Sequence, residues 1–497
     1  MYWANFLHIY QPAEQHPDIL EAVVNQSYRP LLEGLKRNKH ARITLNVNAA
    51  LVELFDKFNY RDLIDDLRQL GTSGQVEFTS SAKYHAFLPF LSSREIVRQV
   101  HINDETNKFF LGDAYQPKGF FPPEMAYSPN LPSVIEKLGF NWIIIDEIAY
   151  TGDIEKVDYS KIYHIENTGL KVFFRERRIS NLIMGAVVRT KKSFLEATGG
   201  ELDGHRYILT GMDGETFGHH RPGLEKFFLK LLAAKEFKFV TISELASHFK
   251  SKENVVPAAS SWASSPDDIK NGTQFLSWKD PENVIHKLQA DFADFTLETI
   301  YALPQNHHDY AAARTKMDRA LASDQFFWAS TRPWWSLEMI VGGAYYLLRV
   351  IRAIADAPKE TLDKAVDYYE KIISTAFEWQ SSGTVRELAL RRKSILRIPF
   401  RERTLESGGE AAGDYFAFLD MMKKLEKKAA KRGEYEQATL WRDAIYKLTN
   451  KQDIYDTLNA VDLVRVKILH EKVEEVIKKY REQYKHIRGG QPEQRGE

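Results

Sequence analysis

The sequence contains no cysteine. This absence excludes disulfide bonds, thiolate zinc sites, iron–sulfur clusters and cysteine nucleophiles. The chain also lacks an excess of either charge, since 68 Lys and Arg residues balance 68 Asp and Glu residues. A formal net charge of zero gives no field that would steer the protein to nucleic acid or to an acidic membrane surface, so we expect neither as a partner.

Long hydrophobic runs are missing as well. The most apolar window, Met339 to Ile351, is interrupted by Arg349 and is shorter than the roughly 20 apolar residues that cross a bilayer. The first residues, Met1 to Pro12, have neither the basic start nor the apolar stretch of a secretory signal. We therefore expect a cytoplasmic protein without a membrane segment.

The remaining composition is that of a globular protein. Of 497 residues, 43% are hydrophobic and 12% are aromatic, which excludes a disordered or fibrous chain. The length is about three times the roughly 150 residues of a typical domain, so we expect several domains or one large α/β barrel. The many aromatic rings offer flat apolar faces to sugars, bases or other proteins.

The first half of the chain has the pattern of an α/β fold, in which short apolar runs alternate with helical stretches. The predicted strands are Trp3 to Ile9, Arg42 to Val47, Val76 to Thr79, Gly119 to Phe121, Trp142 to Ile145, Lys171 to Arg175, Tyr207 to Met212 and Phe239 to Ile242. Several end at or just before a charged residue or a histidine. Because the carboxyl ends of parallel strands form the active face of such folds, we expect the chemistry there.

The second half of the chain is predicted to be mostly helical. A long irregular segment, Val256 to Asn283, comes first and is rich in Ser, Ala, Pro and Asp. Helical periodicity follows in Val284 to Leu303, His307 to Ala329, Trp335 to Ala355, Glu360 to Trp379, Tyr415 to Lys431, Glu434 to Thr449 and Ile454 to Tyr484. The basic segment Val385 to Arg401 has no clear pattern, and Gly489 to Glu497 is predicted to be a disordered tail.

The strongest candidate site is the segment Gly211 to His220, with the sequence GMDGETFGHH, directly after a predicted strand. It places Asp213 and Glu215 beside glycines that leave room for a ligand. A general acid needs a carboxyl group whose pKa is raised by apolar or like-charged surroundings. Two carboxylates two residues apart at a strand end are such an arrangement.

Another carboxylate, Glu124, follows a different predicted strand. Pro122 and Pro123 stiffen the chain before it, and a rigid presentation suits a nucleophile. Two carboxylates at the ends of different strands are the minimum machinery for cleaving a glycosidic bond, one as nucleophile and one as acid/base. Paired carboxylates also arise as structural ion pairs, so the spacing leaves both interpretations open.

Polar side chains also cluster in two further segments. These are Phe6 to Pro12, with His8, Tyr10 and Gln11, and Gly74 to Pro89, with Glu77, Tyr84 and His85. A lone histidine or glutamate at such a position is more often a structural group than a ligand. Together the segments predict a polar cleft.

These segments resemble the motifs of glycoside hydrolase family 57, whose members share five short motifs. In chain order, His8-Ile9-Tyr10-Gln11-Pro12 resembles His-x-His-Gln-Pro, Gly74 to Glu77 matches Gly-x-x-Glu, Pro123-Glu124 matches the motif centred on Pro-Glu, and Asp213 to His220 matches Asp-x-Glu-x-Phe-Gly-x-His. The fifth, a less regular helical motif with an Asp and aromatic residues, is similar to Ala322 to Trp328, ASDQFFW.

The resemblance implies an α/β fold with an incomplete (β/α)7 barrel over residues 1–281. An α-helical domain over residues 282–406 would complete the cleft, and residues 407–497 would form a C-terminal helical region with a hairpin. It also implies a retaining glycoside hydrolase or transglycosylase on α-1,4-glucans, of the amylase or 4-α-glucanotransferase type, without metal or cofactor. Carried over by position, Glu124 is the nucleophile and Asp213 the acid/base. The residues implied to line the subsites are His8, Glu77, Glu215, His220 and Asp324.

Two positions depart from the family's pattern. Tyr10 stands where the family has a histidine that contacts sugar hydroxyls, and Phe121 stands three residues before the nucleophile, where tryptophan is frequent. Both bear on substrate preference and stay among the substrate-binding candidates. The other candidates are Gln11, Arg175, Trp262, Trp278 and Trp328; the tryptophans could stack on sugars or pack in the core, and Arg175 could orient a carboxylate or be a surface charge.

The C-terminal region resembles a second family. Apolar residues at helical spacing on both sides of Gly433, within residues 422–448, predict an antiparallel helical hairpin. Glu434 to Ala438, followed by Arg442-Asp443, is similar to the UVR motif of the bacterial repair subunits UvrB and UvrC. That resemblance implies a protein contact or self-association, and we expect Trp441, among polar residues, to favour docking onto another surface. An ordinary charged hairpin packed on the domain is the other interpretation.

Two rivals to a glucan-active enzyme remain at this point. A metal-dependent polysaccharide deacetylase or mannosidase on a related barrel could use His8, Asp213, His219 and His220 as ligands. A non-catalytic sugar-binding scaffold is the second rival, although binding alone does not need a nucleophile at Glu124. Hydrolysis and transglycosylation share one covalent intermediate, so the sequence does not separate amylase, glucanotransferase and branching activities.

Overall fold

The structure, a computed structural model, describes residues 1–199, 205–332, 334–391, 399–406, 412–453 and 460–487. Its backbone contacts divide the chain into two compact units. The first unit comprises Met1–His219 and Glu225–Val385, and the second comprises His220–Leu224 and the described residues from Arg386 onward. The domain boundaries at residues 281 and 406 stay predictions, and the predicted tail lies outside the described residues.

The first unit is built on one sheet of ten strands. The strands are β1 (Tyr2–Ile9), β2 (Ile43–Val47), β3 (Val76–Ser80), β4 (Gly119–Phe120), β5 (Trp142–Asp146), β6 (Ile162–Ile165), β7 (Lys171–Arg175), β8 (Tyr207–Asp213), β9 (Lys238–Val240) and β10 (Lys252–Val255). Neighbours follow the order β10-β6-β7-β5-β4-β3-β2-β1-β8, and β9 also pairs with β1. Of these pairs, β6 with β7 is antiparallel and the rest are parallel.

The parallel strands β8-β1-β2-β3-β4-β5-β7 curl into an almost closed ring. Its gap lies between β7 and β8, where the Glu176 backbone N–H donates to the Leu209 carbonyl oxygen at 2.8 Å. Buried side chains of strands far apart in the sheet order, among them Phe6, Phe173 and Leu209, share one interior cluster. This arrangement agrees with the predicted incomplete (β/α)7 barrel.

The strand register brings polar residues to one edge of the ring. His8 on β1 is in register with Asn46 on β2 and with Asp213 on β8, and Asn46 is in register with Thr79 on β3. All four lie at or near the carboxyl end of their strand. Since parallel strands end at the same face, the loops that follow them can form one site.

Helices cover the barrel and continue into a bundle within the first unit. Along the barrel they are α1 (Pro17–Val23), α2 (Arg29–Arg37), α3 (Ala49–Lys57), α4 (Arg61–Thr72), α5 (Ser93–Leu111), α6 (Leu131–Lys137), α7 (Ile148–Thr151), α8 (Arg177–Met184), α9 (Lys191–Thr198), α10 (Leu224–Leu232), α11 (Ile242–His248) and α12 (Pro266–Lys270). The bundle contains α13 (Val284–Ala302), α14 (Tyr310–Ala320), α15 (Asp324–Phe327), α16 (Leu337–Ile351) and α17 (Lys359–Ser382). Apolar residues of α13, α14, α16 and α17 share one buried cluster.

The single helix predicted over His307 to Ala329 is wrong, because the chain leaves helical geometry between α14 and α15. There the Ser323 N–H donates to the His85 carbonyl oxygen at 3.2 Å, and Ala322 forms an isolated β-bridge with Ala86. This tertiary pairing replaces helical hydrogen bonds. Its consequence is that Asp324, the first residue of α15, lies next to the loop after β3.

The second unit is helical. Its elements are most of α18 (Thr384–Arg391), which begins in the first unit, and α19 (Ala412–Lys431), α20 (Tyr435–Thr449), α21 (Ala460–Lys467) and α22 (His470–Gln483). Trp441 is 2% exposed and packs in a cluster with Phe418 and Leu448, so the interpretation of Trp441 as a docking residue is wrong. Residues 392–398 and 454–459, which carry parts of two predictions, lie outside the described residues. Across the described residues, no helix has the length and apolarity needed to span a membrane.

Candidate active site

Glu124 lies in a tight turn directly after β4. Residues Pro123–Met125 form a 3₁₀ turn in which Glu124 has a φ of 63°, in the left-handed region that non-glycine residues seldom adopt. The Trp262 indole N–H donates to the Glu124 carboxylate at 2.7 Å. The Trp262 backbone N–H donates to the Glu124 carbonyl oxygen at 3.2 Å. The turn and the tryptophan together hold the carboxyl group in place.

Asp213 is the last residue of β8, on the strand next to β1 in the ring. Two residues earlier, the Gly211 carbonyl oxygen accepts a hydrogen bond from the Arg175 side chain at 2.7 Å. Arg175 is 2% exposed, so it is a buried positioning group and not a surface charge. Burial raises the pKa of Asp213 to about 6, and the Arg175 guanidinium opposes part of that rise.

The two carboxyl groups are half-buried and interact with each other. Burial raises the pKa of both Glu124 and Asp213, and the Asp213 charge raises the pKa of Glu124 further. The Trp262 N–H lowers the pKa of Glu124, but less than burial raises it. Carboxyl groups that repel each other hold one proton between them over a range of pH. One ionised and one protonated carboxyl group are what a nucleophile and a general acid require. The larger rise is at Glu124, so the shared proton lies mainly on Glu124 in the site without substrate, and the form with Glu124 ionised and Asp213 protonated is the minor one.

A pair of histidines lies beside Glu124. The Asn46 amide nitrogen donates to the Thr79 carbonyl oxygen at 3.4 Å, so its oxygen accepts from His8 Nδ1 at 2.8 Å. Burial lowers the pKa of His8 to about 4, which leaves its Nε2 as an acceptor for His85 Nε2 at 3.1 Å. The other ring nitrogen of His85, Nδ1, lies 3.8 Å from a Glu124 carboxylate oxygen. The network thus assigns a tautomer to each ring.

Glu215, two residues after Asp213, is bound by groups from two other segments. Its carboxylate accepts hydrogen bonds from the Tyr28 hydroxyl and, at 3.1 Å, from the Tyr10 backbone N–H. The Gln11 amide lies 3.5 Å away and also donates to the Tyr28 hydroxyl at 3.3 Å. Burial raises the pKa of Glu215 to about 7, and the Asp213 charge adds to that rise. Gln11 therefore acts on the site through Glu215.

Asp324 joins the site from the helical bundle. The Tyr10 hydroxyl donates to its carboxylate at 2.8 Å, and the Tyr10 ring stacks on His85 with 4.3 Å between ring centroids. Burial raises the pKa of Asp324 to about 6, although the Tyr10 hydroxyl opposes the rise. The structure thus brings together Glu124, Asp213, His8, Tyr10, Glu215, Asp324 and Trp262 among the predicted residues.

Two aromatic candidates are buried behind this cluster. Trp278 is 1% exposed and stacks on Phe87 at 4.5 Å and on Phe327 at 5.7 Å. Phe121 is fully buried, 4.7 Å from the His8 ring. Neither offers a free face to a substrate, which corrects the predicted stacking of Trp278 on sugar and gives Phe121 a supporting role.

Glu77 points to partners inside the barrel. Glu77 stands two residues before Thr79, which is in register with Asn46 of the cluster. Its carboxylate accepts from the Thr44 hydroxyl and from the Ser243 backbone N–H, each at 3.1 Å. The predicted contact of Glu77 with substrate is therefore corrected to a structural role within the ring.

The remaining two candidates keep their predicted roles as predictions. Trp328 is half-buried, with its ring 5.4 Å from that of Trp334. His220 is exposed and lies in the short segment of the second unit, His220–Leu224.

Residues at the site that were missed from the sequence include Tyr28, Asp146 and Arg177. Asp146 ends the apolar run of β5, and Arg177 follows β7, so the strand-end rule that selected Asp213 could have found both. Tyr28 lies in a π-helical turn, Val24–Tyr28. No local pattern marks it, because its role comes from tertiary contact with Glu215.

The ligand set of the metal-dependent rival does not assemble. Among the described residues of the first unit, His8, Asp213 and His219 form no cluster of mutually close ligand atoms. The ring nitrogens of His8 face Asn46 and His85, and His219 Nδ1 lies 2.8 Å from the Gln26 side-chain oxygen. These side chains are occupied by protein partners.

Known proteins are similar in sequence to the part of the chain that carries most of this site. The model of glycosyl hydrolase family 57 matches residues 5–257, just over half of the chain. An α-amylase of Pyrococcus horikoshii is 24% identical over 267 residues, which cover 51% of this chain and 41% of the relative. A 4-α-glucanotransferase of Thermococcus litoralis is 24% identical over 256 residues, which cover 49% of this chain and 38% of the relative. The chain thus spans about two fifths of the length of these relatives.

Solved structures share the fold. The 4-α-glucanotransferase of Thermococcus litoralis superposes with a TM-score of 0.56 at 19% identity, covering 71% of this chain and 58% of that chain. A GH57-type branching enzyme of Pyrococcus horikoshii superposes with a TM-score of 0.56 at 18% identity, covering 76% of this chain and 96% of that chain. Together with the strand-end motifs and the match of the family model, this likeness shows that the chain belongs to glycosyl hydrolase family 57.

Proposed function

We propose that this chain cleaves or transfers α-1,4-glucosidic bonds with retention of configuration, with Glu124 as nucleophile and Asp213 as acid/base. The observation that carries the proposal is the convergence of these two half-buried, interacting carboxyl groups at the carboxyl edge of one barrel. The names of the relatives, α-amylase and 4-α-glucanotransferase, support an α-glucan as the substrate.

The reaction proceeds in two steps. In the first, the Glu124 carboxylate attacks the anomeric carbon while the Asp213 carboxyl group gives its proton to the departing glucosidic oxygen. In the second, the Asp213 carboxylate takes a proton from water or from a sugar hydroxyl, and the resulting oxygen nucleophile displaces Glu124. The Trp262 N–H on Glu124 and the Arg175 charge near Asp213 favour the ionised form that each group needs at one step.

The other polar groups of the cluster would bind sugar hydroxyls. His8, Tyr10, Glu215 and Asp324 are the candidates, with Gln11 acting through Glu215. The half-buried rings of Trp262 and Trp328 would stack on sugars. Water gives hydrolysis and a sugar hydroxyl gives transfer, so analysis of the products from amylose, with and without an added acceptor sugar, decides between the two.

Chemical rescue tests the two roles separately. We expect Glu124→Gly to lose turnover and, with azide and an activated α-glucosyl donor, to form the glucosyl azide of inverted configuration, because azide takes the place of the missing nucleophile. Asp213→Ala should instead give the azide of retained configuration, because the covalent intermediate still forms when the leaving group needs no proton. NMR of the anomeric proton distinguishes the products. The opposite pairing, or wild-type turnover in Glu124→Gly, would contradict the assignment.

For the second unit we propose a contact with another protein or with a second copy of the chain, through the α19–α20 pair. The resemblance to the UVR motif supports this proposal. So do Tyr435 and Tyr446 on α20, which are 75% and 58% exposed. We propose that these two tyrosines, and not Trp441, are the aromatic residues that contact the partner.

A further inference from the structure

Asp146 is a buried carboxylate that accepts hydrogen bonds from two arginines next to the candidate active site. It is the last residue of β5 and is fully buried. One of its oxygens accepts from Arg175 at 2.9 Å, and the other accepts from Arg177 Nε at 2.9 Å. A buried carboxylate is stable when its charge and its lone pairs are both satisfied, and two arginines meet that condition here.

The Arg177 side chain leads from Asp146 to the loop that carries Trp262. One of its terminal nitrogens donates to the Ser264 carbonyl oxygen at 2.8 Å, and the other donates to the Trp262 carbonyl oxygen at 3.1 Å. The backbone of Arg177 is itself held, because its N–H donates to the Glu147 carboxylate at 3.0 Å. The Arg177 side chain is 14% exposed, so water competes little for these bonds.

The loop that Arg177 binds has little regular structure of its own. Between β10 and α13 it contains one short helix, α12, which begins after Trp262. Arg177 donates to the carbonyl oxygens of Trp262 and Ser264, the residues on either side of Ala263. The indole N–H of Trp262, on the same loop, is the group that donates to Glu124 at 2.7 Å.

We propose that Arg177, anchored on Asp146, is a positioning residue that holds the Trp262 indole N–H on the nucleophile. The inference rests on the proposed role of Glu124. A planar guanidinium can bind one carboxylate and two carbonyl oxygens at once, which an ammonium group does less well. Without the hydrogen bonds from Arg177 to the loop, the Trp262 indole moves away from Glu124. The ionised form of the nucleophile then loses the hydrogen bond that the indole donates.

Several charged or titratable groups face Glu124 besides the indole. They are His85 at 3.8 Å, Asp213 and Asp324 through their charges, and Tyr10, whose pKa the Glu124 charge raises. The two acidic neighbours raise the pKa of Glu124, and Trp262 is the hydrogen-bond donor that lowers it. Removal of that donor therefore raises the pKa of Glu124, by about one unit if the bond contributes as a typical charged hydrogen bond does.

The first measurement needs no turnover. The protein is labelled with ¹⁵N at its nine tryptophan indoles, and the Trp262 signal is assigned by its loss in Trp262→Phe. We expect this signal to titrate with Glu124, and we expect Glu124→Gln to abolish the titration. In Arg177→Gln the midpoint moves upward by about one pH unit or the response disappears, and in Arg177→Lys it moves less. Arg178→Gln is the matched control, because Arg178 is half-buried like Arg177 but donates to the Ala197 carbonyl oxygen at 3.4 Å, and its substitution leaves the midpoint in place.

Kinetics give a second, independent readout. In the kcat/KM profile on a maltooligosaccharide, the limb whose midpoint coincides with that of the Trp262 titration reports the ionisation of the nucleophile. We expect Arg177→Gln to shift that limb upward in the wild-type background and to add no shift in Trp262→Phe, because both changes remove the same interaction.

The outcomes separate this inference from the proposed function. An unchanged Trp262 titration in Arg177→Gln, or an additional shift in the Trp262→Phe background, overturns the positioning role. If Arg177→Gln does not fold, the same criteria apply to Arg177→Lys, and a midpoint equal to wild type overturns the role. If no glucan is turned over, the proposed function fails while the indole titration still tests the contact.

Discussion

Two features of Glu124, one in its backbone and one in its side chain, lower the stability of the folded protein. Its backbone has a positive φ, as has that of the next residue, Met125, at 48°, and such conformations cost of order 1 kcal/mol or more for residues with a Cβ. Its carboxyl group is buried beside the Asp213 charge, which raises its pKa from 4.5 to about 8. Both features are unfavourable for folding and useful for holding a reactive group in one place.

The burial of Glu124 predicts that its isosteric amide stabilises the protein in a pH-dependent way. Below pH 4.5 the carboxyl group is neutral in the folded and unfolded chains, so its burial costs no charge desolvation. As the pH rises towards 8, the unfolded chain ionises first and folding becomes less favourable. We expect Glu124→Gln to raise the free energy of unfolding by at least about 1 kcal/mol near pH 9 and by little near pH 4. Thermal unfolding at both pH values measures this.

Glu253→Gln is the control of opposite sign. The Tyr150 hydroxyl at 2.7 Å and the Lys161 ammonium at 2.9 Å lower the pKa of Glu253. Its carboxylate therefore favours folding at neutral pH, and that contribution disappears as the pH falls. We expect Glu253→Gln to lower the melting temperature at neutral pH. A pH-independent change in both variants would contradict this account of Glu124.

Among the catalytic candidates, sequence could find those that follow a predicted strand. Glu124 and Asp213 both stand directly after apolar runs, and so does Asp146. Tyr28 and Ser323 could not be found in this way, because each reaches the site through contacts with residues far along the chain. The local pattern of apolar residues in the sequence predicts where strands end. It does not predict which residues meet across the barrel, because those contacts depend on how the strands close into a ring.

At the level of elements, the strands of the ring were predictable, and the two strands at the outer edge of the sheet were not. The ring strands all coincide with predicted segments within a few residues. The missed strands, β6 and β10, pair with each other at the edge of the sheet, and β10 has the mostly polar sequence KENV. The predicted strand Phe239 to Ile242 is in fact β9 followed by the capping residue Thr241 and the start of α11.

The two tryptophans of the irregular segment show why a residue type does not settle a role. Trp278 lies in an aromatic cluster, whereas Trp262 is half-buried on Glu124. We expect Trp278→Ala to lower the free energy of unfolding by about 3–5 kcal/mol, as large-to-small core substitutions do. Trp278→Phe, which refills most of the space, should keep kcat/KM close to wild type, while Trp262→Phe should lower it about tenfold through loss of one hydrogen bond to a charged group.

Chemical denaturation and kinetics on these variants are the measurements. A large loss of activity in a stably folded Trp278→Phe would restore a direct substrate role for Trp278. Equal stability losses in Trp278→Ala and Trp262→Phe would show that both rings pack in the core.

At the scale of the whole molecule, two separate segments of the chain make up the second unit. Residues His220–Leu224 cluster with it and follow Glu215 by five residues, and within this unit Arg221 pairs with Asp462 at 2.9 Å. We expect truncation after Val385 to leave the first unit folded but to lower glucan turnover roughly fivefold, because the segment after Glu215 loses a contact of about 1 kcal/mol. Circular dichroism and turnover of amylose check the two parts.

Asp462→Asn in the full chain is the matched variant, and it should reproduce part of the loss without removing the unit. Turnover of the truncated chain equal to wild type would show that the segment needs no anchor. Light scattering on the same two proteins tests the proposed self-contact: a full-length mass above 57.4 kDa that becomes monomeric on truncation supports it, and a monomeric full chain contradicts it.

The position of β1 in the ring has a consequence for biosynthesis. β1 pairs with β2 soon after both leave the ribosome, but its partners on the other side, β8 and β9, are synthesised much later. The Trp3 indole N–H, for example, donates to the Thr210 hydroxyl, 207 positions along the chain. At bacterial or eukaryotic elongation rates of about 5–20 residues per second, that interval is roughly 10–40 seconds. During it, one edge of the apolar strand YWANFLHI is free to pair with other nascent chains. Slower translation before β8 would lengthen this exposure, so expression yield should depend on codon choice between residues 50 and 200 and on chaperones that bind extended apolar segments.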